Sequence, residues 1–146
     1  MKSQLIFNVL KIKTEKIKYN LTVTAEELEI TNLDLVGPVQ LTFELYRNAN
    51  AIILSGVIDF TIRLVCSNCL KIFEQKFSEH VYQEYIKGKE PIKNYFQQLE
   101  DIDFDREYYD SDFINLTGIM RDTIELAIPL APWCSPDCKG IEEHTE

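Results

Sequence analysis

Glycine and proline are scarce in this sequence, with five residues of each among 146. This scarcity excludes collagen-like and low-complexity chains, which need far more of both. Long apolar runs are also missing, because no stretch approaches the roughly 18 residues that a membrane-spanning helix needs. Near the start, the longest uncharged apolar stretch is Leu5-Ile6-Phe7, which is too short for the core of a signal peptide. We therefore expect a globular cytoplasmic protein with no membrane partner.

Histidine is nearly absent, since only His80 and His144 occur. Neither belongs to a catalytic motif, and the sequence has no Gly-rich phosphate loop, Ser-centred nucleophile motif or metal-binding helix with His and Glu. Asp101, Asp103 and Asp105 resemble a calcium-binding loop, but the glycine and the glutamate that complete such a loop are missing. We expect a protein that is not an enzyme and has no small-molecule substrate.

Cysteine occurs only as two pairs, Cys66 with Cys69 and Cys134 with Cys138. A gap of two or three residues lets one tight turn direct two sulfurs at one point, and two such turns complete a closed tetrahedral zinc site. The spacing therefore predicts a structural zinc ion bound by all four cysteines.

Other uses of the cysteines remain open. The thiols can lie in a packed domain without metal, or Cys66 and Cys69 can form the redox pair of a small thiol-redox protein. A redox pair usually opens a helix, whose N-terminal dipole lowers the thiol pKa. Here Cys66 closes an alternating apolar stretch and Cys69 leads into Leu70-Lys71-Ile72-Phe73, which favours a zinc knuckle between two strands. Disulfides need an oxidising compartment, which the lack of a signal-peptide core disfavours.

Apolar residues alternate with polar ones through much of the chain, a pattern that predicts β-strands. The expected elements are a strand over 5–12, a strand over 17–23, a hairpin over 39–66 that turns at 48–50, and a strand over 73–85. The asparagines of the turn tolerate left-handed conformations, and Gly56 is a candidate β-bulge. Residues 24–28 have the composition of a short helical turn with Thr24 as its N-cap.

Residues 116–127 have the periodicity of an amphipathic helix. Asp112 and Asn115 precede it as candidate caps, and Pro129 ends it. We expect this helix to pack on the sheet and to deliver the second cysteine pair to the first. The predicted fold class is α+β: a mostly antiparallel β-sheet or partly open barrel with a zinc knuckle and one main C-terminal helix packed on it. We expect a single domain over residues 1–146.

Charge is distributed unevenly in this acidic chain, whose net charge is −9. Residues 1–20 carry five lysines and one glutamate, a balance of +4, whereas residues 99–112 carry seven acids and one arginine, a balance of −6. We expect a long acidic loop over 93–112. RNA binding needs clustered cations, so we expect RNA to contact only the basic end of the chain and a basic protein to contact its acidic remainder. The candidate RNA-contacting residues are Lys11, Lys13, Lys16 and Lys18.

Two motifs together resemble one family. The run VCSNCL at 65–70 and the run RDTIELAIPLAPWC at 121–134, with its closing Cys138-Lys139-Gly140, are similar to the YceD family, the large ribosomal RNA subunit accumulation proteins. The resemblance implies a non-catalytic bacterial or plastid factor needed for normal levels of the 23S ribosomal RNA, with that RNA or a ribosomal protein as its partner. The resemblance also implies that the four cysteines, Cys66, Cys69, Cys134 and Cys138, are the ligands of a metal ion.

Overall fold

A computed structural model describes residues 4–88 and 106–140 of the chain. The strands are β1 Ile6–Asn8, β2 Ile17–Val23, β3 Val39–Asn48, β4 Ala51–Val65, β5 Ile72–Lys87, β6 Arg106–Tyr109 and β7 Phe113–Asn115. A 3-10 helix spans Val9–Lys11, and the α-helix α1 spans Thr117–Ala127. The prediction of an α+β fold with mostly β-structure and one main helix is confirmed.

Five strands form one open sheet in the order β2-β3-β4-β5-β6, and β1 pairs with β7 in a separate two-stranded sheet. Strands β2 to β5 are antiparallel neighbours, whereas β6 runs parallel to β5. Within the described residues the larger sheet begins at β2 and ends at β6 without closing on itself. The prediction of a mostly antiparallel sheet is confirmed, and that sheet is open.

The central hairpin of β3 and β4 forms as predicted, but two of its details differ. In its turn the left-handed conformation is taken by Ala49, with φ 57°, rather than by an asparagine. The register between β3 and β4 is unbroken, so the bulge expected at Gly56 is wrong. Gly56 lies opposite Phe43, and a Cβ at this position would overlap the carbonyl oxygen of Thr42. Glycine is needed here because the two strands approach closely.

The start of the described chain is less regular than predicted. The strand expected over 5–12 ends at Asn8, whose side chain accepts a hydrogen bond from the N–H of Leu10 at 2.9 Å and so caps the 3-10 helix. Strand β2 has its predicted bounds. The turn after it also forms, because the hydroxyl of Thr24 accepts a hydrogen bond from the N–H of Glu27 at 3.1 Å.

Helix α1 begins at Thr117, one residue later than predicted, and ends two residues before Pro129. The Oδ1 atom of Asn115 accepts a hydrogen bond from the N–H of Thr117, the first residue of the helix, at 3.0 Å, but the N-cap position itself belongs to Leu116, which makes no side-chain capping bond. The predicted cap at Asp112 does not form, because Asp112 lies five residues before the first residue of the helix. Among the described residues, no helix combines the length and the apolar character needed to cross a membrane.

One cluster of buried apolar side chains is shared by the inner face of the larger sheet, the β1–β7 pair and α1. Its largest fully buried members are Leu5, Leu28, Leu41, Phe43, Leu45, Ile52, Leu54, Ile58, Ile62, Leu116, Met120 and Ile124. The last two belong to α1 and confirm the apolar stripe predicted for the helix. Because this packing holds α1 in place, it also determines where the segment that carries the second cysteine pair begins.

The acidic loop predicted over 93–112 falls mainly outside the described residues, as does the rejected calcium loop. The last part of the predicted loop is wrong, because residues 106–109 form the strand β6. This strand pairs with residues 84–87 of β5. A strand of four residues is too short to give a clear alternation in the sequence.

Candidate metal centre

The first cysteine pair lies in the turn that joins β4 to β5. Cys66 directly follows β4, its N–H donates to the carbonyl of Lys71 at 2.8 Å, and its own carbonyl accepts from the N–H of Leu70 at 2.9 Å. Leu70 has φ 65°, a left-handed conformation that costs a residue with a Cβ about 1–2 kcal/mol. The predicted position between two antiparallel strands is confirmed, and it is not the helix N-terminus that typically lowers the pKa of a redox cysteine.

Hydrogen bonds join the segment after α1, which carries the second cysteine pair, to this turn. The carbonyl of Pro132 accepts from both the N–H and the hydroxyl of Ser67, at 2.7 and 3.0 Å. The carbonyl of Cys138 accepts from Nδ2 of Asn68 at 2.9 Å. Gly140 then takes φ 85°, and a Cβ there would lie 3.1 Å from Oδ1 of Asn68. Hydrogen bonds between protein groups therefore join the two cysteine loops.

All four sulfurs lie within 4.8 Å of one another. The Sγ atoms of Cys66 and Cys138 are 3.7 Å apart, as are those of Cys69 and Cys134. Sulfurs bound at about 2.3 Å from a tetrahedral zinc ion are about 3.8 Å apart, whereas a disulfide needs about 2.0 Å. All four cysteines are free. This group can hold a metal ion, and its spacing fits a tetrahedral thiolate site.

Cys66 and Cys134 differ in how readily their thiols ionise. Cys66 is fully buried, which opposes ionisation, but the N–H groups of Cys69 and Cys134 donate to its sulfur at 3.4 and 3.3 Å. Together with the N–H of Asn68 they lower the pKa of Cys66 to about 6. In contrast, a hydrogen bond with the Cys138 thiol, and then burial, raise the pKa of Cys134 to about 12. Neighbouring thiolates repel one another, and a divalent cation between them would offset that repulsion.

The lysines predicted to contact RNA are far from the cysteines. They lie where β2 pairs with the last part of β3, whereas Cys66 follows the opposite end of β4. The Nζ atom of Lys16 lies 5.0 Å from the centre of the Tyr46 ring, and Lys18 is the cross-strand partner of Glu44. The structure thus groups the segment that carries Lys11, Lys13, Lys16 and Lys18 at one end of the sheet.

Arg47 anchors this lysine-bearing segment, a role that the sequence did not reveal. Its guanidinium donates to the carbonyls of Ile12 and Val9 at 3.2 and 2.8 Å. Its backbone N–H donates to the carbonyl of Lys13 at 2.7 Å. The sequence around Arg47 contains no motif that distinguishes it from a solvated arginine. Its partners are backbone groups about 35 residues away, which no local pattern reveals.

The fold and the cysteine centre define a class of protein: an α+β chain with an open, mostly antiparallel sheet and four clustered cysteines at the end of its longest hairpin. A family model described as "Large ribosomal RNA subunit accumulation protein YceD" matches residues 54–146, which is more than half of the chain and includes all four cysteines. The chain belongs to the YceD family. Searches of curated proteins and of solved structures found no match.

Proposed function

We propose that this chain is a non-catalytic ribosome-biogenesis factor that supports the accumulation or processing of 23S ribosomal RNA in the bacterial cytoplasm. The family match carries this proposal, because the family is described by accumulation of the large ribosomal RNA subunit and not by a reaction. The proposal treats residues 1–146 as one domain. Its support is the buried cluster found among the described residues, to which both the chain before the matched span and the chain within it contribute.

The proposal includes one structural zinc ion bound by Cys66, Cys69, Cys134 and Cys138. The sulfur separations of 3.7 Å support it, and four soft protein ligands leave no open position for water or substrate. A closed site of this kind contributes to folding and not to catalysis. When bound, the ion would supply a cross-link between the β4–β5 turn and the segment that follows α1.

Two kinds of partner are proposed. RNA would meet the lysine-bearing segment near β2, and a basic ribosomal protein would meet the acidic remainder of the chain. Because residues 1–53 lie outside the span that the family model matches, the proposal of an RNA contact is supported by the charge of this segment and not by family membership. Replacing Lys11, Lys13, Lys16 and Lys18 with Gln should weaken RNA association and flatten its salt dependence, as measured by titration with 23S ribosomal RNA fragments at two salt concentrations. Unchanged affinity and salt dependence would exclude this surface.

Complementation of a deletion strain tests the biogenesis role. We expect the deletion to lower the ratio of 23S to 16S ribosomal RNA, and the wild-type chain to restore it. Cys66→Ser should restore it incompletely if the zinc site matters, whereas Ser135→Ala, an exposed change between the second pair of cysteines, is the matched control. A normal RNA ratio in the deletion strain would refute the proposed function.

A thiol-redox protein that uses Cys66 and Cys69 is the second candidate, and the lowered pKa of Cys66, about 6, favours it. Its weakness is access, because Cys66 is fully buried and an attacking thiolate must reach its target. Metal content and thiol titration separate the two candidates. One zinc ion per chain with slowly reacting thiols supports the structural site, whereas metal-free protein with one fast thiol supports redox chemistry.

A further inference from the structure

Strand β2 forms one edge of the larger sheet, and among residues 4–88 and 106–140 no strand pairs with its outer side. It has seven residues and pairs with β3 in an unbroken register. Proteins usually protect such an edge with a proline, a β-bulge or a charge that points inward. Strand β2 has none of these, and Lys18 is its only charged residue. The edge can therefore accept another strand.

The contacts of Thr22 show which backbone groups of β2 point away from β3. Its hydroxyl donates to Oε1 of Gln40 at 2.8 Å, and side chains lie this close in a pair that does not exchange backbone hydrogen bonds. Its carbonyl instead accepts from Nε2 of Gln4 at 3.4 Å. Backbone groups of successive residues point to alternate sides of a strand, so Lys18, Asn20 and Thr22 all present N–H and C=O groups to the open side.

Arg47 gives the same direction independently. Its backbone N–H donates to the carbonyl of Lys13 at 2.7 Å, so Arg47 faces the chain that leads into β2. The odd-numbered residues of β3 share this direction, and their register partners in β2 are also odd-numbered. The even-numbered residues of β2 are therefore the ones that face the open side.

The sequence of β2 is complementary to itself when a second copy approaches in the antiparallel direction. With Asn20 opposite Asn20 of the second copy, Lys18 lies opposite Thr22 on each side of the centre. Each of these three pairs would exchange two backbone hydrogen bonds. The contact uses the same surface on both copies, as a two-fold dimer requires. We propose that β2 is the interface of a homodimer, in which two copies of this strand pair antiparallel about Asn20.

The inner side chains of β2 are incompletely covered within one copy. Ile17 is 42% exposed, and Tyr19 and Leu21 are only half-buried where they pack against the buried cluster. In the proposed register Ile17 would lie opposite Val23 of the second copy, and Tyr19 opposite Leu21. A second copy would therefore bury apolar surface that the chain itself leaves exposed.

Charge at the two ends of β2 favours a second copy in this orientation. Residues 13–18 carry three lysines and one glutamate, a balance of +2, whereas residues 22–28 carry two glutamates and no base, a balance of −2. On β3, Glu44 and Arg47 lie beside the basic end and cancel each other. An antiparallel pair brings the basic end of each copy to the acidic end of the other.

The overall charge of −9 on each chain opposes association. Charges more than about 8 Å apart are largely screened at physiological ionic strength, so the matched charges nearest the strand dominate. The inference goes beyond the proposed function and does not depend on it.

Sedimentation velocity of the full chain over about 1–300 µM tests the dimer. We expect the mass to rise from that of one chain toward that of two. Asn20→Pro removes an N–H that points to the open side and takes no part in the pairing with β3, so the sheet of the monomer should remain intact. A melting curve at the lowest concentration checks this. We expect the Kd of the dimer to rise about tenfold with Asn20→Pro.

Opposite charges placed at Thr22 test the register. In the proposed pairing this residue lies opposite Lys18, so Thr22→Lys brings like charges together and Thr22→Glu brings opposite charges together. Both variants lose the same hydrogen bond to Gln40, so each is the control for the other. We expect the Kd to rise about fivefold with Thr22→Lys and to fall about fivefold with Thr22→Glu. Net charge alone predicts the reverse order, because Thr22→Lys reduces the charge of −9 and Thr22→Glu increases it.

A chain that stays monomeric over the whole concentration range would overturn the proposal. So would a dimer whose Kd is unchanged by Asn20→Pro, or Thr22 variants that follow the order predicted by net charge. If Asn20→Pro does not fold, the two Thr22 variants decide. Association that appears only when 23S ribosomal RNA is added would also overturn the proposal, because the RNA and not β2 would then join the copies.

Discussion

Removal of the metal should weaken the fold measurably without abolishing it. An ion that binds only the folded state adds about 2.7 kcal/mol to stability when its free concentration is 100 times its Kd. For a chain of this size, that corresponds to about 5–11 °C in melting temperature. Complete unfolding is not expected, because hydrogen bonds between protein groups join the cysteine loops and the buried cluster lies elsewhere.

The assay is thermal unfolding followed by circular dichroism, with zinc-loaded wild type, chelated wild type, Cys66→Ser and Ser135→Ala compared. Cys66→Ser should melt at or below the chelated protein, because the sulfur of Cys66 also accepts hydrogen bonds from the N–H groups of Cys69 and Cys134. Ser135→Ala should match the loaded wild type. If the chelated protein and Cys66→Ser both melt within a degree or two of the loaded protein, the shared metal site is wrong.

Three further changes test the fold. Ile124→Asp should aggregate or unfold the chain in a solubility and melting assay, because it places an unpaired charge in the buried cluster, whereas Glu125→Gln should be nearly neutral. Gly56→Ala should lower the free energy of unfolding in urea denaturation by about 2–4 kcal/mol, since its Cβ would overlap the carbonyl oxygen of Thr42 in β3. A loss no larger than that of an ordinary surface change would contradict the close approach of the two strands. Burial and the charge of Asp122 raise the pKa of Glu107, so its ionised form destabilises the fold above that pKa. Glu107→Gln should therefore raise the melting temperature slightly near pH 7, with the gain shrinking as the pH falls.

Sequence periodicity predicted the long elements because each repeats its signal several times. Strand β2 has its predicted bounds, and α1 differs by one residue at its start. The pairing of β1 with β7 was not predicted, because each strand has three residues and its partner lies more than 100 positions away. The left-handed Ala49 and the close approach at Gly56 also depend on how two strands meet, which composition does not encode locally.

The candidate metal ligands could be predicted because the chemistry of a thiolate site is carried by residue type and spacing. The geometry around them could not, since the bonds from Ser67 to Pro132 and from Asn68 to Cys138 join loops about 70 residues apart. These bonds join the two loops directly, so a metal ion bound by the four cysteines would link the same two loops that the protein's own hydrogen bonds connect. The turn between β4 and β5 also holds Leu70 in its left-handed conformation. A metal ion at this centre would therefore stabilise that turn as well as the contact between the loops.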